Sequence, residues 1–261
     1  MPATPDPGGP LPPPDPGALR CVTWNVHRGV GAGGRFDPER ILAVIGSEVA
    51  VEAPGLLVLQ EADADAPPHE GVIAADRIEA ATGLRHAQGP AWLRSGPASL
   101  GFLGVAAFVH PRVAVTDARL VDLPGRVDRG AVVLDLAAPL AEPLRVVATH
   151  LSLAQWLRAV QLRTIGQHLR RSGPMDAAIV GDLNEWRPWG GLALSRRILG
   201  FDMRGPAPAT FPARWPVLPL DRVLGSRPGM VHGARVLDGA GARSASDHRP
   251  LAATVRLRPA G

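Results

Sequence analysis

Residues 131–149 read AVVLDLAAPLAEPLRVVAT and hold two apolar, β-branched runs separated by a short loop. The runs, residues 131–136 and 144–149, have the length and composition of buried strands. The residues between them carry no helical pattern, so the two strands are predicted to form a hairpin. Because hairpin strands are antiparallel, the pattern indicates a mixed α/β fold and excludes a purely parallel, doubly wound sheet.

Similar apolar runs occur before and after this hairpin, with helical patterns between several of them. Asp37 followed by Pro38 is a helix start signal, and Ile41, Leu42 and Ile45 would lie on one face of that helix. The six further strands are predicted at residues 19–25, 56–60, 105–109, 177–180, 220–224 and 251–257.

The clearest helical pattern is predicted to begin at Ser152, which could form a capping box with Gln155. A helix of this kind buries an apolar stripe against the sheet. The predicted stripe consists of Leu153, Trp156, Leu157, Val160 and Ile165.

Length and composition favour one globular domain. The chain has 261 residues, of which 46% are hydrophobic, and this is enough to bury a sizeable core. Residues 1–18 are rich in proline and glycine and are predicted to be a disordered leader, with the domain spanning residues 19–261. No stretch approaches the roughly 18 uninterrupted apolar residues that a membrane-spanning helix needs, so no transmembrane segment is expected.

The charge balance is mildly basic. Lysine and arginine together number 28 against 24 acidic residues, which gives a net charge of +4. This charge permits a phosphate-bearing substrate without requiring nucleic acid. Cys21 is the single cysteine, so no intramolecular disulfide can form. A reducing compartment and the lack of a visible secretory signal lead us to expect a cytoplasmic protein.

Polar residues follow the predicted strands, at the position where α/β proteins place their catalytic groups. Asparagine occurs only at Asn25 and Asn184, and both lie in such segments. Asparagine also caps turns, but the neighbouring acidic and imidazole groups favour a functional role. The complete set of strand-end groups is Asn25, Glu61, His150, Asp182, Asn184, Asp221, Asp247 and His248.

These groups predict a site for a hard divalent ion. Carboxylate and amide oxygens without thiolates suit Mg²⁺, or Mn²⁺, better than Zn²⁺. A divalent ion, a histidine and a carboxylate base are together the groups needed to hydrolyse a phosphate ester.

Six motifs, in this order along the chain, resemble those of the endonuclease/exonuclease/phosphatase superfamily of metal-dependent phosphoesterases, and in particular its small bacterial members. The resemblance covers residues 20–256 and implies a four-layer sandwich of α+β class, in which two mixed β-sheets pack face to face and are flanked by helices. The motifs are TWNVHRG (23–29), LVLQEAD (57–63), THLSL (149–153), GDLNEW (181–186), LDRV (220–223) and SASDHRPL (244–251).

The resemblance also implies the metal ligands and the base. Glu61 would be the principal Mg²⁺ ligand, assisted by Asn25, and Asp247 would lie in the metal shell. Asp182 would orient and deprotonate the attacking water. Asn184 would hold the phosphate or the same water.

The remaining roles concern the phosphate itself. His248 would stabilise the pentavalent phosphorane or act as acid and base, and Asp221 would hold it through the other ring nitrogen. His150 would donate a hydrogen bond to a non-bridging phosphate oxygen. Arg129 matches the family's mid-chain Arg-Gly and would also touch the phosphate.

Three functions remain open at this point. The first is a Mg²⁺-dependent phosphoesterase acting on a phosphodiester or phosphomonoester, whose substrate could be a small molecule, a lipid headgroup or nucleic acid. The second is a DNA endonuclease or exonuclease, which the lack of tyrosine and of an Asn or Ser in GFLGVAAFVHPR (101–112) disfavours. The third is a non-catalytic binding module. No obligate protein partner is implied.

Overall fold

The computed structural model describes residues 17–261, which form two β-sheets with helices on their outer faces. The strands are β1 (Ala18–Asn25), β2 (Leu56–Gln60), β3 (Arg85–His86), β4 (Ala106–Val109), β5 (Ala114–Leu123), β6 (Arg129–Ala137), β7 (Leu144–His150), β8 (Asp176–Asp182), β9 (Asp221–Gly225), β10 (Val231–Val236) and β11 (Leu251–Arg256). The helices are α1 (Pro38–Val44), α2 (Ala75–Thr82), α3 (Gln155–Arg171) and α4 (Arg196–Leu199).

Both sheets mix parallel and antiparallel strands. The six-stranded sheet has the order β10-β11-β1-β2-β4-β3, and the five-stranded sheet has the order β5-β6-β7-β8-β9. In the first sheet β1 runs parallel to β2 and antiparallel to β11. In the second, β6 and β7 form the predicted antiparallel hairpin, and β7 runs parallel to β8. The predicted mixed fold is therefore confirmed.

The two sheets pack face to face because their central strands are apolar on both sides. Along β1, Cys21 lies in the core between the sheets, whereas the next residue, Val22, lies in the core beneath α1 and α2. Across the interface, Val146 and Val180 of the second sheet complete the inner core. Strands buried on both faces appear in a sequence as continuous apolar runs.

Helices cover the two outer faces and complete the four layers. Ile41 of α1 and Ile45, which directly follows α1, pack on the six-stranded sheet. The helix begins at Pro38, as predicted. Leu162 and Ile165 of α3 pack on the five-stranded sheet. The resulting order of helices, sheet, sheet and helices confirms the predicted four-layer sandwich.

The face of α3 differs from the prediction. The helix begins at Gln155, not at Ser152, and no side chain caps it. Leu153, Trp156 and Val160 of the predicted stripe are exposed, while the buried face includes the polar residues Arg158 and Gln161. These two side chains donate hydrogen bonds to loop carbonyls, Arg158 to Ser152 and Gln161 to Pro124, and this pairing allows their burial.

Edge strands and the chain start also depart from the prediction. β3, β5 and β10 were not predicted, because all three lie at sheet edges and expose many of their side chains. The predicted leader, residues 1–18, lies outside the described residues except for Gly17 and Ala18, and Ala18 already begins β1. Across residues 17–261, every helix is too short or too polar to cross a membrane.

Candidate active site

The strand-end residues meet because both sheets present the carboxyl ends of parallel strands at the same end of the sandwich. Asn25 and Gln60 are paired at the ends of β1 and β2, and His150 and Asp182 are paired at the ends of β7 and β8. The two sheets are joined across this end by a hydrogen bond of 3.0 Å from Asn25 Nδ2 to Asp182 Oδ2. Residues from distant parts of the chain therefore line one site.

Asp182 lies at the centre of this site and is buried. Its Oδ2 atom lies 3.4 Å from His150 Nε2 and 3.8 Å from His248 Nε2. The preceding residue must be glycine, because a Cβ atom at Gly181 would lie 1.9 Å from the carbonyl oxygen of Thr149. The close approach of β8 to β7 thus depends on Gly181.

His248 is bound to an acidic partner. Its Nδ1 atom lies 2.8 Å from Asp221 Oδ2, which also accepts a 2.6 Å hydrogen bond from the hydroxyl of Thr210. Burial alone would lower the pKa of His248, but the carboxylates of Asp221 and Asp182 outweigh it and raise the pKa to about 10. His248 is therefore an imidazolium at neutral pH, with a proton on each ring nitrogen.

His150 is bound to a basic partner instead. Arg129 Nη1 lies 2.8 Å from His150 Nδ1. Burial lowers the pKa of His150 to about 3, against the pull of Asp182 and with the help of Arg129. Because a guanidinium can only donate, Nδ1 must accept and the ring proton must sit on Nε2. His150 is thus a neutral imidazole whose proton sits on Nε2, the ring nitrogen that lies 3.4 Å from Asp182 Oδ2.

Glu61 follows β2 in a left-handed backbone conformation, with φ 52°. Its Oε2 atom accepts a 2.8 Å hydrogen bond from Arg28 Nη1, and its Oε1 atom lies 3.9 Å from His150 Nδ1. Non-glycine residues with positive φ cluster at functional sites, and Arg28 and Asn184 share this feature. Arg28 was not among the predicted site residues, although it lies in the motif TWNVHRG.

Asp247 and Asn25 are linked through Ser246, which was also not predicted. The Ser246 hydroxyl donates to the carbonyl oxygen of Asn25 at 2.7 Å and contacts Asp247 Oδ1 at 3.3 Å. Asp247 Oδ1 also lies 3.6 Å from the Nδ1 atom of His27. Asp247 is one third exposed, so it lies towards the solvent side of the site.

Asn184 ties the loop after β8 to the loop after β7. Its side-chain nitrogen donates to the carbonyl oxygen of Leu151 at 2.8 Å, and its backbone N–H donates to Asp182 Oδ1 at 2.9 Å. The side-chain amide can therefore still offer the site its oxygen, which accepts, and its second N–H, which donates.

Two sets of side chains could hold a divalent ion. Asp182, Asp221 and His248 offer ligand atoms within 4.8 Å of one another, but the short bond between Asp221 and His248 suits this group to proton transfer. The predicted set of Asn25, Glu61 and Asp247 supplies oxygen atoms alone, at the ends of β1 and β2 and in the loop before β11. Hard oxygen donors of this kind fit Mg²⁺ or Mn²⁺.

A cavity of about 230 Å³ opens beside Glu61 and Arg129. Its lining carries charges of both signs, positive from Arg28 and Arg126 and negative from Asp65 and Asp128. The cavity places room for a polar substrate next to the predicted site residues.

The fold and the site together define a two-sheet sandwich with a buried acid–histidine centre at the carboxyl ends of its strands. A family model described as the Endonuclease/Exonuclease/phosphatase family matches residues 22–248, and the chain belongs to this family. A search of curated proteins finds no match to this chain.

Several solved structures share this fold. An endonuclease/exonuclease/phosphatase from Beutenbergia cavernae is 22% identical, with a TM-score of 0.64 over 93% of this chain and 72% of that one. The catalytic domain of human Nocturnin, with bound sulfate, is 18% identical, with a TM-score of 0.65 over 92% of this chain and 94% of that one. A beta toxin variant from Staphylococcus aureus, with bound magnesium ions, is 15% identical, with a TM-score of 0.65 over 92% of this chain and 100% of that one. At these identities the likeness establishes the fold alone.

Proposed function

We propose that this protein is a metal-dependent hydrolase that cleaves a phosphate ester by in-line attack of water. The observation that carries the proposal is the position of the buried Asp182 carboxylate between two histidines in opposite charge states. One is His150, neutral beside Arg129. The other is His248, charged beside Asp221. A base, a neutral donor and an acid thus lie within reach of one bound ester.

Asp182 is the general base that acts on the attacking water. The carboxylate accepts the proton of the water as its oxygen bonds to phosphorus. Asn184 holds the phosphate or the same water, because its side-chain amide keeps its oxygen and one N–H beside the bond to the carbonyl of Leu151.

The two histidines act on different oxygens of the phosphate ester. His150 donates its Nε2 proton as a hydrogen bond to a non-bridging phosphate oxygen, and the positive charge of Arg129 behind it favours the growing negative charge. His248 gives its Nε2 proton to the leaving oxygen as the phosphorus–oxygen ester bond breaks. Asp221 keeps the other ring nitrogen bonded throughout.

Asn25, Glu61 and Asp247 would hold a divalent ion, Mg²⁺ or alternatively Mn²⁺. When bound, the ion would neutralise negative charge on the phosphate. The magnesium ions in the similar fold of the beta toxin agree with this choice. Glu61 also binds Arg28, so this guanidinium neutralises the carboxylate and must share it with the ion.

The test is a hydrolysis panel run with Mg²⁺, with Mn²⁺ and with EDTA. The substrates are bis-p-nitrophenyl phosphate, p-nitrophenyl phosphate, a phospholipid and supercoiled plasmid. We expect hydrolysis of at least one phosphate ester with either metal and none with EDTA. The pattern across the panel separates diester from monoester activity, and cleavage of plasmid alone would identify a nuclease.

Asp182→Asn is the decisive variant, and Asp76→Asn is its matched control. Asp76 is an exposed carboxylate in α2 that makes no contact with the site, so its substitution should leave the rate unchanged. We expect Asp182→Asn to abolish hydrolysis of every substrate. Undiminished hydrolysis by this variant, or equal rates with EDTA and with metal, would refute the proposal.

A further inference from the structure

Tryptophan is placed unusually in this protein. Five of its six tryptophans are exposed, and Trp24 alone is buried. Buried aromatic side chains contribute strongly to stability, so a structure that leaves most of its indoles in water has another use for them. Four of the exposed tryptophans belong to segments that border the site: Trp156, Trp186, Trp189 and Trp215.

These segments leave or enter the sheets at the end that carries the site. Trp156 follows β7, Trp186 and Trp189 follow β8, and Trp215 precedes β9. Two aliphatic side chains, Leu153 and Val217, accompany them. We call these six residues the tryptophan rim, and their exposed fractions are 79% for Leu153, 71% for Trp156, 48% for Trp186, 76% for Trp189, 81% for Trp215 and 70% for Val217.

The opposite end of the sandwich has no such rim. Within residues 17–261, the large apolar side chains exposed there are Val51, Val115 and Leu140, and none is aromatic. Single exposed apolar residues need no explanation, whereas a concentration around one opening marks an interaction surface. The contrast between the two ends therefore places the exposed aromatic surface at the end where the site opens.

Arginines accompany the rim. The Arg187 guanidinium lies 4.4 Å from the centre of the Trp186 ring and is paired with the buried Glu185. The exposed Arg214 directly precedes Trp215. Arg126, beside the exposed Val127, lines the cavity. Indole rings with guanidinium groups beside them are the side chains that proteins place at the boundary between phospholipid headgroups and acyl chains.

We propose that the tryptophan rim docks on a phospholipid bilayer that carries anionic headgroups, with the site opening turned towards the headgroup phosphates. The exposed Arg214 and Arg126 supply the charge complementarity to the anionic lipids. Docking does not depend on the hydrolysis proposed above, because it can be measured with turnover stopped.

Other occupants fit the rim less well. Single-stranded nucleic acid stacks on aromatic rings, but Leu153 and Val217 have no π-face to offer a base. A second copy of this chain or another rigid protein seated on the rim would cover the site opening, whereas a bilayer presents its phosphates to it.

The test measures vesicle binding in EDTA, by co-sedimentation and by tryptophan fluorescence. The probes are vesicles of phosphatidylcholine alone and of phosphatidylcholine mixed in equal parts with phosphatidylglycerol. We expect binding to the mixed vesicles with a blue shift of the emission, because the exposed indoles move into a less polar medium. Binding to phosphatidylcholine alone should be weaker.

The double variant Trp156→Ala with Trp215→Ala should bind the mixed vesicles at least about tenfold less tightly, because two apolar contacts with the membrane are lost. Val51→Ala with Leu140→Ala, at the opposite end, is the matched control and should bind like the wild type. Unchanged hydrolysis of a soluble ester by the rim variant shows that it is folded.

Several results would overturn the proposal. They are failure of the wild type to bind either vesicle, equal binding by the rim variant and the wild type, and equal weakening in the rim variant and the control. Binding of a single-stranded dT oligonucleotide in place of vesicles, lost in the rim variant, would reassign the rim to nucleic acid. A dimer in analytical ultracentrifugation that the rim variant dissociates would reassign it to self-association.

Discussion

The two histidines of the site are both buried beside Asp182 but differ in the partner of their Nδ1 atoms, and this partner reverses their charge states. His150 and His248 are both buried, and each directs Nε2 towards Asp182. The Nδ1 atom of His150 faces Arg129, whereas that of His248 faces Asp221. Burial disfavours the charged form of both rings, and the partner on Nδ1 decides whether burial prevails.

A single site can thus hold one imidazole as a neutral donor and another as an acid at the same pH. We expect the charged ring to contribute more to the rate, because the charged ring transfers a proton while the neutral ring only donates a hydrogen bond.

Replacing each histidine by glutamine should separate the two roles most clearly. His248→Gln removes the proton that is transferred, and we expect kcat to fall by roughly 10²–10⁴-fold. His150→Gln keeps an N–H donor and should lose less. The measurement is kcat on a diester with an alkyl leaving group, which needs protonation. Equal losses in both variants would remove the distinction, and His232→Ala on the exposed β10 is the control.

Asp221→Asn should turn His248 into a ring that resembles His150. Without the carboxylate, the pKa of His248 falls from about 10 towards or below its ordinary value of about 6.5. The imidazolium form is then lost as pH rises through the neutral range, and the alkaline limb of the kcat profile should move down by about 2 units or more. An alkaline limb at the wild-type position would show that the activity does not depend on the charge of His248.

Arg129→Gln should weaken the His150 side of the site. The variant removes a positive charge from the phosphate region and releases Nδ1 of His150. Because a hydrogen bond to a charged group contributes about 1.5–3 kcal/mol, we expect kcat/KM to fall by about 10–100-fold. The control is Arg112→Gln, an exposed arginine at the opposite end of the sandwich. A loss no larger than that of the control would exclude a role for Arg129.

The pH dependence of folding should differ in sign between the two rings. The folded-state pKa of His150, about 3, lies below its unfolded value near 6.5, so its protonation favours unfolding as pH falls. At about pH 5 this amounts to about 2 kcal/mol. His150→Gln should therefore reduce the loss of stability in acid, which urea unfolding at several pH values measures.

For His248 the folded pKa lies above the unfolded one. Its contribution to stability is complete below about pH 6.5 and is lost as pH rises towards 10. His248→Gln should therefore be more destabilising at mildly acidic than at alkaline pH. The same pH slope in both glutamine variants would contradict the assignment of opposite charge states.

Much of the fold could be predicted because the central strands are buried on both faces. Continuous apolar runs marked β1, β2, β7 and β8, and the polar residues that end these runs marked the site. The edge strand β5 escaped prediction because exposed polar residues interrupt its apolar pattern. The stripe of α3 was assigned to the core because its spacing is helical, although in the structure much of it is exposed beside the site.

The partners within the site could not be predicted in the same way. Arg28 was visible in its motif, yet its bond to Glu61 depends on the packing of two loops. The hydroxyls of Ser246 and Thr210 likewise donate hydrogen bonds to residues elsewhere in the chain, Ser246 to Asn25 and Thr210 to Asp221. These contacts exist only in the folded protein.

The amino-acid sequence was sufficient for the family, the class of fold and the residue types gathered at the strand ends, because strand patterns and short motifs are local properties of the chain. The charge states of His150 and His248 required the folded structure. A pKa depends on burial and on the nearest charges, and those charges come from Arg129 and Asp221, which lie 21 and 27 positions away from their histidines.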